Sequence, residues 1–145
     1  MLEKALQDFL TGSRKDASKN PPVPCTPEQI KVSEVEFQRR FGVRFPDAYK
    51  QVLRASNGLL RGPMMVWPAV QQVAGQETVF NANEDLQEVF AGKFLVFGSL
   101  QSNLYGLDVE NQVYCAKSFP DGRLIEKFSS DARMFEILLL TKSRS

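Results

Sequence analysis

Histidine is absent from all 145 residues of this chain. Its absence excludes Ser-His-Asp and Cys-His mechanisms, histidine zinc sites and histidine-based pH sensing. Cysteine is scarce. Cys25 and Cys115 are the only two, too few for a structural zinc site, and a cytosolic chain of this size seldom keeps a disulfide. Both are expected as free, partly buried thiols. No apolar run approaches the roughly 20 residues that a membrane span needs. Met1 to Leu10 mixes Glu3, Lys4 and Asp8 with its apolar residues and so lacks the apolar centre of a secretory signal. The expected location is cytoplasmic. Catalysis is left with carboxylate, lysine or tyrosine chemistry, and no carboxylate pair stands out by spacing. The residues assign no catalytic, cofactor-binding or metal-binding position.

What is present fits an ordinary globular chain. Residues 1–145 are expected to form a single domain, of which 43% is hydrophobic. A chain of this length buries roughly 68–70% of its unfolded surface. The net charge of +1 hides an uneven distribution. Residues 1–75 hold 11 Lys and Arg against 7 Asp and Glu, and residues 132–145 hold 3 against 1. Residues 76–131 hold only 4 against 9. That acidic stretch reads either as a solvated surface or as a face for a basic partner. Direct nucleic-acid binding is disfavoured, because no basic stripe carries interleaved aromatics.

The first half of the chain is punctuated for helices. Leu2, Ala5, Leu6, Phe9 and Leu10 have helical spacing, predicting a short amphipathic helix over residues 2–10. Residues 11–25, rich in Ser, Lys, Asn and Pro, read as an extended linker, leaving 26–140 as the core. Thr26-Pro27-Glu28-Gln29 supplies a cap, an N1 proline and a capping-box glutamine, and Ser33-Glu34-Val35-Glu36 is a second possible start. The first is preferred, because Ile30, Phe37 and Phe41 then share a side of a helix ending near Gly42. The next helix is predicted over Pro46–Ser56. Pro46 suits its first position, Asp47 its positive end, and Tyr49, Val52 and Leu53 form its apolar face. Asn57-Gly58 supplies the left-handed residue that ends helices.

The second half reads differently. Met64-Met65-Val66-Trp67, set between Gly62-Pro63 and Pro68, suits a strand. Pro68 could open a short helix through Val70 and Val73, and a helical turn is expected near Glu84–Phe90. Phe94–Phe97 is a strand ending at Gly98. Leu104–Asp108, Gln112–Ala116 and Leu124–Phe128 follow as strands, separated by turns at Glu110-Asn111 and Pro120-Asp121-Gly122. Connections this short cannot make crossovers, so the pairing is antiparallel. Ser130-Asp131 starts a last helix that packs Met134, Phe135, Leu138 and Leu139 on the sheet. The fold class expected is α+β, an antiparallel-rich sheet with helices packed on one face.

In this order the pieces resemble the SUKH superfamily of Smi/Knr-type domains. Phe41-Gly42-Val43-Arg44-Phe45-Pro46-Asp47-Ala48-Tyr49 is similar to the family's "lG-x-x-LP-x-x-Y" pattern, and Leu53 with Asn57-Gly58 to its "L-x-x-x-NG" continuation. Trp67-Pro68, the strand ending at Gly98, Leu104-Tyr105-Gly106-Leu107-Asp108, Gln112-Val113-Tyr114 and the Ser130–Leu139 segment complete the resemblance over roughly residues 26–140. The chain departs from the pattern at Val52-Leu53, where phenylalanine is frequent, and at Gln38, where an acid is common. The resemblance implies a binding role without enzymatic activity or cofactor. Bacterial members are regarded as immunity proteins that neutralise cognate toxins, many of them nucleases or deaminases, and fungal relatives regulate cell-wall synthesis. A non-toxin regulatory partner is the alternative. Oligomeric state is open between a monomer and a weak dimer.

Trp67, the only tryptophan, reads as a core anchor rather than a partner hot spot, and Tyr49 as a buried packing residue. Gly42, Pro46, Leu53, Asn57, Gly58, Gly98, Tyr105 and Asp108 count as structural motif positions. Binding candidates are the acids of the negative stretch, Glu77, Glu84, Asp85, Glu88, Asp108, Glu110 and Asp121, many on predicted loops where binding groups often sit. A carboxylate-dependent hydrolase is a third possibility, and it needs two converging acids, at least one with a raised pKa.

Overall fold

The computed structural model describes residues 2–15 and 23–143. The first helix, α1, spans Leu2–Lys15. It continues five residues past the expected end at Leu10, so Thr11–Lys15 are helical rather than extended. Most of the rest of the expected linker lies outside the described residues. Leu2, Leu6 and Phe9 are buried, which supplies by packing the stability that a short terminal helix lacks alone.

Helix α2 spans Pro27–Phe41 and starts at the first of the two candidate caps. The Gln29 N–H donates to Thr26 Oγ1 at 3.1 Å, and the Thr26 N–H donates to Gln29 Oε1 at 2.9 Å. Its end is the left-handed Gly42, whose N–H returns to the Gln38 carbonyl. Helix α3 spans Asp47–Ala55, one residue later at its start than expected, with Pro46 as the flanking N-cap. A proline there has no side-chain acceptor to offer. The role falls to Asp131, whose Oδ2 accepts the Ala48 N–H at 3.0 Å.

The end of α3 corrects the sequence reading. The C-cap is Ser56 in extended conformation, and Asn57 is not the terminating residue. Gly58 does hold a positive φ of 88°, but in the connection beyond the helix. A Cβ on it would stand 2.8 Å from the Val66 carbonyl oxygen. The chain then forms a strand that local pattern did not reveal, β1 at Leu59–Arg61, which turns at Gly62-Pro63 into β2 at Met64–Val66.

No helix forms through Val70 and Val73, where residues 67–78 are irregular. The Ala69 and Val70 amides are held instead by Asn57 Oδ1, at 3.0 and 3.2 Å. The turn expected at Glu84–Phe90 is a full helix, α4, at Val79–Phe90. Strand β3, Phe94–Leu100, runs through Gly98 rather than stopping there. A bulge lies between Val96 and Gly98, and a Cβ at Gly98 would stand 2.8 Å from Leu138 Cδ2. Gly98 is therefore a point of close helix–sheet approach.

Strands β4 (Asn103–Asp108), β5 (Val113–Ser118) and β6 (Leu124–Lys127) complete a six-stranded antiparallel sheet in the order β1-β2-β3-β4-β5-β6. Helix α5, Asp131–Ser143, packs on β3 and β5 and against α1 and α3. The fold is α+β, as the pattern of short connections required.

An aromatic cluster sits between helices and sheet. Phe37 lies 5.0 Å from Phe45 and 5.7 Å from Phe97, centroid to centroid, and Tyr49 lies 5.0 Å from Phe45 and 5.1 Å from Phe97. Burying a large apolar side chain of this kind contributes about 1.5–3 kcal/mol, and offset aromatic pairs add to it.

The sheet edge that short β2 leaves open is closed by a side chain. Asn83 of α4 accepts the Val96 N–H on Oδ1 at 2.7 Å and donates Nδ2 to the Val96 carbonyl at 3.0 Å. One carboxamide thus satisfies the donor and acceptor that a neighbouring strand residue would have used.

Candidate functional site

Most of the motif residues are interior, Gly42 and Asp108 being the exceptions. Tyr49 is fully buried, and its hydroxyl donates to the Trp67 carbonyl at 2.5 Å. Burial pushes the Tyr49 phenol well above its ordinary value, with a smaller contribution from Cys25. Trp67 is 8% exposed, which fits a core anchor, and its indole N–H has no hydrogen-bond partner among the described residues. Asn57 joins three segments. Besides the two amides it accepts the Cys25 thiol at 3.2 Å and donates to the Val70 carbonyl at 2.6 Å. Leu53 is buried, and Tyr105 stacks on Phe128 at 5.9 Å. Both cysteines are free and buried, and burial raises the Cys25 thiol to about 11. None of these groups faces solvent in a way that a partner could use.

The acidic candidates are placed otherwise. Glu84, Asp85 and Glu88 stand exposed on α4, and their spacing puts Glu84 and Glu88 on one ridge with Asp85 beside it. The C-terminal end of that helix meets two strand connections. Val109, in the β4–β5 turn, donates its N–H to the Lys93 carbonyl just after α4, and Lys93 Nζ lies 3.2 Å from Glu110 Oε1. In the β5–β6 turn, a Cβ on Gly122 would stand 3.3 Å from Phe90 Cε1 of α4. Both loops thus touch the C-terminal turn of α4, which carries Glu88, although the loops bearing Glu110 and Asp121 leave opposite ends of β5. Glu77 lies before the start of α4, about 18 Å away along a 12-residue helix.

Basic groups meet part of this set. Arg40 Nη1 of α2 lies 2.6 Å from Glu84 Oε1. Asp108 accepts from the Asn111 N–H and Nδ2 at 3.1 and 3.0 Å, and Lys117 Nζ stands 3.9 Å from it. Burial pushes the Asp108 carboxyl up, but the Asn111 bonds and Lys117 outweigh it and hold the carboxyl below its usual value. Asp121 accepts from Ser118 Oγ, which lowers its pKa. Asp85, Glu88 and Glu77 have no ion pair among the described residues.

Sequence reasoning missed the apolar part of this surface. Val89 at 45%, Phe119 at 42% and Leu124 at 46% are exposed beside the acids. Leu124 alternates in a predicted strand, and nothing in that pattern says its strand is the sheet's uncovered last one. The ammonium of Lys117 lies 4.9 Å from the centroid of the Phe94 ring, a cation–π contact that holds its charge at the same end of the sheet.

For chemistry the arrangement offers little. Among the described residues, every carboxyl group whose pKa shifts, Glu36, Asp108, Asp121 and Glu136, moves down, so these acids are held ionised rather than poised as proton donors. Among the described residues no group of three metal-ligating side chains is gathered, and no helix is long and apolar enough to cross a membrane. What the surface can do is present exposed charge and a few apolar anchors to another macromolecule. A comparison with curated proteins returns no match. The sequence pattern of the SMI1 / KNR4 family (SUKH-1), by contrast, matches residues 24–136, and the chain belongs to that family.

Proposed function

We propose that this chain is a non-enzymatic, cytosolic immunity protein that binds and neutralises a cognate toxin domain of the polymorphic or contact-dependent kind, such as a nuclease or deaminase. The observation that carries the reading is the exposed Asp85–Glu88 ridge, without an ion pair among the described residues, beside the exposed apolar Val89. A toxin that acts on nucleic acid carries basic groups for the phosphates, and an acidic ridge complements them. Complementary charge speeds encounter and fixes register, while the apolar contacts contribute affinity. Membership of the SMI1 / KNR4 family supports a protein-binding role.

The deciding experiment co-expresses the chain with toxin domains encoded beside its gene and scores survival. Protection by the native chain, weakened when Asp85, Glu88 and Asp121 are changed to Lys, supports the reading. Failure to protect against every neighbouring toxin sinks it. The second reading, a regulatory module with a non-toxin partner, is favoured by the regulators that the family also contains. A pull-down from native cells that returns a housekeeping protein and no toxin would select it.

A further inference from the structure

Helix α2 carries a second exposed feature, on the side away from the core. Its buried face is Ile30, Ser33 and Phe37. Roughly opposite lies a ridge of Glu28, Val32, Val35 and Arg39, whose alternating spacing of four and three residues is that of a helix–helix seam. Val32 is 63% exposed and Val35 61%. Two β-branched residues on the outermost ridge serve neither helix propensity nor the core. Val32 also lines a shallow depression with Ser33, Ala69 and Val70, so the apolar surface continues beside the ridge.

The ridge is complementary to itself. Turned end for end about the midpoint between Val32 and Val35, it places Val32 against Val35 of a second copy, twice. It also places Glu28 against Arg39 of that copy, twice. Lys31 then falls beside Gln38 of the second copy, and Glu36 beside Gln29. A parallel arrangement sets Glu28 on Glu28 and Arg39 on Arg39, which is repulsive. Within one copy Arg39 already bonds Glu36, with Nε 3.0 Å from Oε2. Glu36 also has Arg40 at 2.7 Å, so Arg39 can turn to Glu28 of a second copy without leaving Glu36 unpaired.

We infer that the exposed ridge of α2 is a docking surface for a second copy of this chain, forming an antiparallel two-fold pair. The seam is one helix long, and a 15-residue helix spans only about 22 Å. Its area falls under the ~1,200 Å² of a standard stable interface. The dimer is accordingly weak, with a Kd on the order of 100 µM, and it weakens further with salt. This inference does not depend on the toxin reading, since it uses residues of α2 alone and none of the acids of α4.

Sedimentation velocity from about 10 µM to 1 mM tests it, with circular dichroism confirming that each variant is folded. The native chain is expected to shift from monomer to dimer across this range, and Val32→Lys with Val35→Lys to stay monomeric throughout. Glu28→Arg and Arg39→Glu should each raise Kd by at least about 10-fold, because each alone creates like-charge pairs. Mixed in equal amounts, those two single variants should recover dimer as a heterodimer, and the double swap should recover the homodimer. The charge swaps decide the matter even if the lysine variant fails to fold. A native chain that stays monomeric at 1 mM overturns the proposal and leaves the ridge to a different protein. A dimer indifferent to the charge swaps overturns it as well.

Discussion

The segment from Phe41 to Trp67 and the acidic end of α4 make an instructive pair. The first is dense in recognisable motif residues and turns almost all of them inward: Tyr49, Leu53 and Trp67 into the core, Asn57 into a hub of backbone bonds. The second has no motif, and its side chains point to solvent. A motif that survives as a pattern is one whose residues are held by many contacts at once. The exposed acids are free of that constraint, and no local pattern marks them. The comparison teaches that the segment naming the family and the segment proposed to meet a partner need not coincide.

That contrast can be broken at its strongest point first. Tyr49→Ala removes a fully buried ring and the bond to the Trp67 carbonyl. It should cost about 3–5 kcal/mol, read as a lowered urea midpoint, and a loss below about 1 kcal/mol would mean that the aromatic cluster is not the centre of the fold. Next in size is Asn83→Ala, which strands the Val96 N–H and C=O. Orphaning the two groups is expected to cost about 2–4 kcal/mol, and hydrogen exchange at the Val96 amide should accelerate more than at the distant β5.

A smaller effect appears with pH. Burial holds the Cys25 proton to about 11, against an ordinary value of 9.0. Between those values the unfolded chain has lost the proton and the folded chain keeps it, so stability falls as pH rises. The expected fall attributable to this thiol is about 1–2 kcal/mol across that window, and Cys25→Ala should flatten the decline in urea midpoints measured at pH 8.5, 9.5 and 10.5. The smallest effect on stability belongs to the other region. Changing Asp85, Glu88 and Asp121 to Lys should each move stability by less than about 0.5 kcal/mol. A large destabilisation by any of them would show that the acidic end is structural too, and the comparison would collapse.

Legibility followed the range of the interactions. The start of α2 could be read because Thr26 and Gln29 bond each other within one turn. The antiparallel order of β3 to β6 followed from connections too short for anything else. Strand β1 was missed because three residues carry too little alternation, and its partners only become available through the hairpin. Helix α4 was under-read because the polar Asn83 occupies its buried face, so its apolar period is interrupted by the residue that secures it. The helix expected after Pro68 failed for a tertiary reason, the capture of its first amides by Asn57. In the acidic set, the sign of the charge was plain in the sequence. Which acids are already paired was not, since Arg40 and Glu84 meet across 44 residues.

Asp131 joins two parts of the chain that are made at different times. Its Oδ2 accepts the Ala48 N–H of α3, 83 residues earlier, while Oδ1 accepts the N–H of Ala132 in its own helix. A chain made from its N-terminus at ~5–20 residues per second completes that interval in roughly 4–17 s. During those seconds the start of α3 lacks the side-chain acceptor that it has in the finished fold. The start of α3 is written locally in the sequence, but its side-chain acceptor is supplied only when the C-terminal segment has been made.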